Sequence, residues 1–281
     1  MDQKIIGLFD TFTHGGMDRR AFLEKLSVMA GSVAAATALL PLLENNYALA
    51  DILPEGDPRI ETGSITYQGG AGYLAQPKAD GKYGSVLVIH ENRGLNPHIK
   101  DIARRIAAEG FVALAPDYLI GLGGTPADED KARDMIGTLK PEDILATSRA
   151  GLAAAKVQSK SNGKGGAIGF CWGGGAVNAL AVADNGLSAG VAYYGMQPKA
   201  EDVAKISAPL MLHYAGLDDR TNAGIPAFET ALKAAGKTYE IYIYEGANHA
   251  FNNDTNAARY DKTAADLAWG RSMAFLKKYL S

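Results

Sequence analysis

Cysteine is nearly absent from this 281-residue chain, with Cys171 the only one. A single thiol excludes an intramolecular disulfide, and no Cys/His cluster has the spacing of a zinc site. Packing or thiol chemistry must therefore explain Cys171. Basic clusters are absent as well: the net charge is −3 with acids and bases interspersed, which argues against nucleic acid as a partner. No apolar run suits a stable membrane span, because Leu26–Leu43 contains Ser27, Gly31 and Ser32 and is broken by Pro41. His90-Glu91 begins like a zinc-protease motif, but Gly94 stands where HExxH needs its second histidine. Gly173-Gly174-Gly175 is followed by Asn178 where a dinucleotide fingerprint needs glycine, and there is no Gly-Lys-Ser/Thr phosphate loop. No metal and no cofactor is expected.

With 47% hydrophobic residues, the chain can bury a full single-domain core. Residues 1–50 differ from the rest. Arg19-Arg20-Ala21-Phe22-Leu23 precedes the mild apolar run, and Ala48-Leu49-Ala50 closes the segment. This layout resembles a twin-arginine export signal cleaved near Ala48 and Ala50, which would make the protein periplasmic or otherwise exported. The alternative is an uncleaved N-terminal helical extension on a cytoplasmic protein, packed on the body or on another subunit. Residues 51–60 read as a linker, and residues 61–281 as one catalytic domain.

In that domain, short apolar runs alternate with helical ones. A leading hairpin is predicted around Gly69-Gly70, followed by strands at Ser85–His90, Phe111–Ala115, Ala167–Phe170, Ala189–Tyr194, Pro209–Tyr214 and Tyr239–Tyr244, with helices between them. The pattern implies a mostly parallel central sheet with helices on both faces. Ligands collect at the carboxyl ends of such strands.

Those ends carry the chemistry. Gly169-Phe170-Cys171-Trp172-Gly173 reads as a nucleophile elbow, a strained strand-to-helix turn that lifts its central side chain clear of the sheet. Cysteine replaces the usual serine. Asp218-Asp219-Arg220 follows a later strand and Asn248-His249-Ala250-Phe251 the last one, so the order is nucleophile, acid, base, as in α/β-hydrolases. Alone, a cysteine is readily a core residue, and His249 or the two aspartates are readily loop and cap residues. Together, in this order, they point to a site. Glu91 directly after a buried strand needs a partner to offset desolvation, and Arg93 and Arg220 are the simplest choices.

His90-Glu91-Asn92-Arg93-Gly94, Ala115-Pro116-Asp117, the cysteine elbow, Asp218 and Asn248–Phe251 together resemble the dienelactone hydrolase (carboxymethylenebutenolidase) family over roughly residues 60–280. The resemblance implies an α/β-hydrolase fold and hydrolysis of a small carboxylic ester or lactone through an acyl-enzyme. By it, Cys171 is the nucleophile, His249 the base, Asp218 the orienting acid with Asp219 as runner-up, and Glu91 the residue controlling the thiol's protonation. Backbone N–H groups of Asn92 and Trp172 form the oxyanion hole, and Arg93, Arg220 and Phe251 are candidate substrate contacts, with Arg259 a further arginine. Family enzymes acting on dienelactone hold its carboxylate with two arginines, and Gly121 and Asn253 stand near those places here, so weak or no dienelactone activity is expected. Competing readings are a non-catalytic α/β-hydrolase-fold protein with an assembly or partner-binding role, and a thiol redox sensor, for which no resolving cysteine exists. Homo-oligomer formation is left open.

Overall fold

The computed structural model describes residues 1–281. Its centre is an eight-stranded sheet of β1 (Ile60–Tyr67), β2 (Gly70–Pro77), β3 (Tyr83–Ile89), β4 (Val112–Pro116), β5 (Ser161–Phe170), β6 (Ala189–Tyr193), β7 (Leu210–Ala215) and β8 (Tyr239–Tyr244). The spatial order is β1-β2-β4-β3-β5-β6-β7-β8. The hairpin β1-β2 is antiparallel and β2 pairs antiparallel with β4, while all pairs from β4 to β8 are parallel. This is the mixed, mostly parallel sheet of an α/β-hydrolase fold.

Side chains alternate across each strand, so β3 sends Val86 and Val88 into one core and Leu87 and Ile89 into the other. The helices are α1 (Gln3–Thr13), α2 (Arg19–Ala30), α3 (Val33–Leu43), α4 (Pro97–Ala108), α5 (Glu129–Gly137), α6 (Pro141–Lys156), α7 (Trp172–Ala183), α8 (Asp219–Asn222), α9 (Ile225–Ala234) and α10 (Lys262–Leu280). Through Ile99 and Ile102, α4 joins α10, with Phe275 and Leu276, over one face. Across the sheet, Leu152 of α6, Val177 and Leu180 of α7 and Phe228 of α9 cover the other. Each fully buried aliphatic side chain contributes about 1.5–3 kcal/mol.

Residues 1–50 fold as helices packed on the body. In α1, Ile5, Phe9 and Phe12 recur at helical spacing and are buried. They meet Phe22 and Leu26 of α2 and Leu43 of α3, with Ala258 of the body against the cluster. Asp2, Asp18 and Ser32 cap the three helices, and Gly31 ends α2 in the left-handed region at φ 82°. The unit is also tied down by polar contacts. Asn46 N–H donates to the Thr255 carbonyl at 2.7 Å, Arg19 pairs with Asp130 at 2.9 Å, and Gln3 bonds Asn248. The guanidinium groups of Arg133 and Arg259 lie over Phe12 and Phe9, at 4.9 and 5.1 Å from the ring centroids. No single helix is long and apolar enough to cross a membrane, and the α2 and α3 segments meet at 112°.

Phe22 stacks on Phe12 with centroids 4.6 Å apart. Phe22→Ala is expected to lower the local opening free energy of residues 1–50 by about 3–5 kcal/mol, read as faster amide hydrogen exchange there. Unchanged protection would show that the unit does not depend on this core.

Candidate active site

At the end of β5, Cys171 makes the whole turn between Phe170 and Trp172. Its backbone lies at φ 54°, ψ −115°, a conformation that a residue with a β-carbon adopts only under strain. Packing holds it there. A β-carbon on Gly169 would stand 2.2 Å from the Gly173 carbonyl oxygen, and one on Gly173 would stand 2.4 Å from that of Ile89. Only glycines let α7 approach β3 and β5 closely enough to present the thiol.

Two histidines face that thiol. His249 follows β8, and its Nδ1 donates to Asp218 Oδ2 at 2.5 Å. Asp218 caps α8, accepting from Thr221 N–H at 3.1 Å, and is buried, whereas Asp219 is exposed. The second, His14, ends α1. Its Nε2 is 3.3 Å from Cys171 Sγ, while its Nδ1 donates to the Asp10 carbonyl at 2.8 Å and stands 3.3 Å from Asp10 Oδ1. Carbonyl and carboxylate oxygens only accept, so each ring carries a proton on Nδ1, which leaves Nε2 free to face the thiol. The rings meet edge to face at 4.7 Å. Sγ and one nitrogen of each ring lie within 4.8 Å of one another, a spacing that a metal ion could also bridge.

The charges reinforce one another. Burial pushes the Cys171 thiol up, but the positive charges of His249 and His14 outweigh it and bring it down to about 6. Burial presses His249 down, against which the thiolate and the Asp218 hydrogen bond raise it to about 10. His14 is raised by the thiolate and by Asp10 against the same burial. Asp218 is lowered by its bond to His249 despite desolvation. The result is a row of alternating charges: Asp10, His14, Cys171, His249, Asp218.

Glu91 does not pair with either expected arginine. Arg93 is buried and faces Glu129 and Asp130 at 3.7 and 3.9 Å, and Arg220 directs Nη1 at Met196 Sδ, 3.7 Å away. Instead Asn253 donates to Glu91 Oε2 at 2.9 Å. Glu91 Oε1 and His249 Nε2 are buried without hydrogen-bond partners, and both residues border a chamber of about 20 Å³ shared with Cys171, Asn92 and Arg259.

On the other side of the thiol opens a cavity of about 780 Å³, walled mainly by apolar side chains including Ile136, Ile144, Leu145 and Trp172, with Arg133 and Arg220 at its margin. The Trp172 indole stacks on His90 at 5.3 Å, and the Asn92 side chain donates to the Thr13 carbonyl at 2.7 Å. Phe251 is not a wall of either space. It is wholly buried, packed between Tyr194 and Tyr244 at 5.5 and 4.9 Å, so its expected contact with substrate is corrected to core support beneath His249.

His14 is the site residue that sequence reading missed. The signal in the sequence is Asp10 and His14 four residues apart, hence on one face of an amphipathic helix, but their spacing does not show that this face meets Cys171.

Residues 71–280 match the family model described as "Dienelactone hydrolase family", and residues 1–31 match a second, "YqhI-like". A Salmonella typhi protein named "Putative carboxymethylenebutenolidase" is 31% identical over 268 residues, covering 89% of this chain and 96% of that protein. The Escherichia coli "Putative hydrolase fragment YghX" is 47% identical over 113 residues, 38% of this chain and 97% of its own length. A crystal structure from Klebsiella pneumoniae, named "Putative Dienelactone Hydrolase", superposes with a TM-score of 0.71 at 29% identity, covering 78% of this chain and 99% of that one. The matched span contains the parallel strands, the elbow and the whole Cys171-His249-Asp218 triad of a hydrolase, and the chain belongs to the dienelactone hydrolase family.

Proposed function

We propose that the protein hydrolyses a small carboxylic ester or lactone bearing an apolar group, through a thiolate at Cys171. The observation that carries this reading is the strained elbow thiol set between two aspartate-backed histidines, beside a largely apolar cavity. That volume lies within the range of small-molecule sites. The thiolate attacks the carbonyl carbon, and the tetrahedral oxyanion is met by the N–H groups of Trp172, at the first turn of α7, and Asn92. Losing one such donor typically costs about 2.7–4 kcal/mol. Collapse expels the alcohol, and water then releases the acid from the thioester.

Glu91 is assigned to the small polar chamber beside the thiolate, held there by Asn253. Asn253 supplies an amide, not a guanidinium, beside Glu91, which supports a substrate other than dienelactone. Arg220 and Arg133 are the cationic groups at the cavity margin, and Arg93, committed to Glu129 and Asp130, is assigned a structural part. Residues 1–50 are proposed to be an integral part of the active protein rather than a removed leader, because cleavage near Ala48 and Ala50 would carry away Asp10 and His14.

Three outcomes are expected. The rate of Cys171 alkylation by iodoacetamide should fall about tenfold per pH unit below pH 6 and level off above it, because only the thiolate reacts. Asp218→Asn weakens the cation on His249, so that midpoint should move upward toward the ordinary thiol value of about 8.5; a wild-type midpoint already there contradicts the ion pair. Simple aryl esters should be turned over and dienelactone poorly or not at all, with Cys171→Ala losing about 10⁴-fold or more. Efficient dienelactone hydrolysis would overturn the substrate assignment. Intact-mass measurement of protein purified from its native cells should find residues 1–50 still attached, and loss of that segment would refute retention.

A further inference from the structure

Resting on the cysteine-hydrolase reading above, the arrangement of the two histidines allows a finer division of roles. His14 opens onto both spaces beside Cys171, His249 onto only one of them. His14 and Cys171 border the 780 Å³ cavity, where a substrate of ester size fits, and His249 does not. His249 opens only onto the 20 Å³ chamber, which His14, Glu91 and Arg259 also line and whose volume suits one water molecule. The unpartnered Glu91 Oε1 and His249 Nε2 are the polar partners such a water needs. Asp10 holds the His14 ring in place, and Arg259 Nη1 stands 3.8 Å from Asp10 Oδ1, tying the dyad to the body.

We propose that His14, supplied by the N-terminal helices, is a second catalytic histidine: it protonates the leaving alkoxide on the cavity side, while His249 serves the water on the chamber side. In acylation the thiolate forms the C–S bond and the carbonyl electron pair moves to oxygen. Collapse breaks the acyl C–O bond, and the departing oxygen takes the Nε2 proton of His14, leaving that ring neutral. Acylation also removes the sulfur's charge, the strongest influence keeping His249 protonated, so His249 releases a proton to solvent. It then takes one from the attacking water, whose oxygen forms the new C–O bond as the C–S bond breaks and the thiolate returns. The acid product's proton restores His14. The sum is ester plus water giving alcohol, carboxylate and one proton.

The leaving group tests this. An alkoxide needs a proton to depart, whereas p-nitrophenolate does not. For His14→Gln, kcat/KM is expected to fall by about 10²–10⁴ on an ethyl ester and by about tenfold or less on the p-nitrophenyl ester of the same acid. Added imidazole should restore ethyl ester turnover. Asp10→Asn should show the same asymmetry at smaller size, and it decides the matter if His14→Gln fails to fold by circular dichroism. Equal losses on both esters, or no loss on either, would overturn the assignment. Cys171→Ala, assayed in parallel, separates the two levels: if it retains activity, the cysteine-hydrolase reading falls and this proposal with it. If it is inactive while His14→Gln does not distinguish the esters, the role of His14 alone falls.

Discussion

A thiolate buried between two imidazolium rings is the interaction on which the rest of the structure depends. Taking the Cys171 charge out of water costs several kcal/mol. An opposite charge about 4 Å away contributes about 4 kcal/mol at an effective dielectric constant of 20, the size of a roughly thousandfold change in acidity. One histidine would about offset the burial, and the second turns the balance toward the thiolate. Asp10 and Asp218 complete the row by favouring the charged form of both rings and fixing their direction. The backbone strain at Cys171, and the glycines that allow α7 to press against the sheet, serve to place the sulfur at the centre of that row.

The same constraint explains why residues 1–50 are built into the body. His14 reaches the sulfur only if α1 is held against the strand ends. The Phe9-Phe12-Phe22 cluster, the arginines over its rings and the polar ties to Thr255, Asp130 and Asn248 provide that hold. Arg19, which suggested an export signal, is engaged with Asp130 and Glu44. Two spaces flank the thiolate, a largely apolar cavity and a polar, water-sized chamber. Asn253, near a place where an arginine would have favoured a carboxylate substrate, instead spends its amide on Glu91.

Much of the architecture was legible because it rests on local pattern. The runs Ser85–His90 and Tyr239–Tyr244 correspond to β3 and β8 within two residues, and the glycine-flanked cysteine declared the elbow because no larger side chain fits there. β5 begins earlier than expected, at Ser161, since Asn162, Gly163 and Lys164 carry no apolar signal and its early part is fixed by pairing with β3. Partners of long side chains were not legible. Arg93 turned to Glu129 and Asp130, Glu91 to Asn253, and Phe251 into the core, because such choices depend on which loops converge and leave no mark in residue spacing.

By itself the sequence determined the sheet, the elbow and the chain order of nucleophile, acid and base, since apolar periodicity and the steric demands of glycine act within a few neighbouring residues. Only the tertiary structure decided that a histidine 157 positions before Cys171 shares its proton chemistry. It also decided that Asp218 rather than Asp219 meets His249, and that the first fifty residues are a wall of the site. The reason is physical: a strained turn is written in local sequence, whereas an electrostatic row assembled from four distant segments exists only once the hydrophobic cores have packed them together.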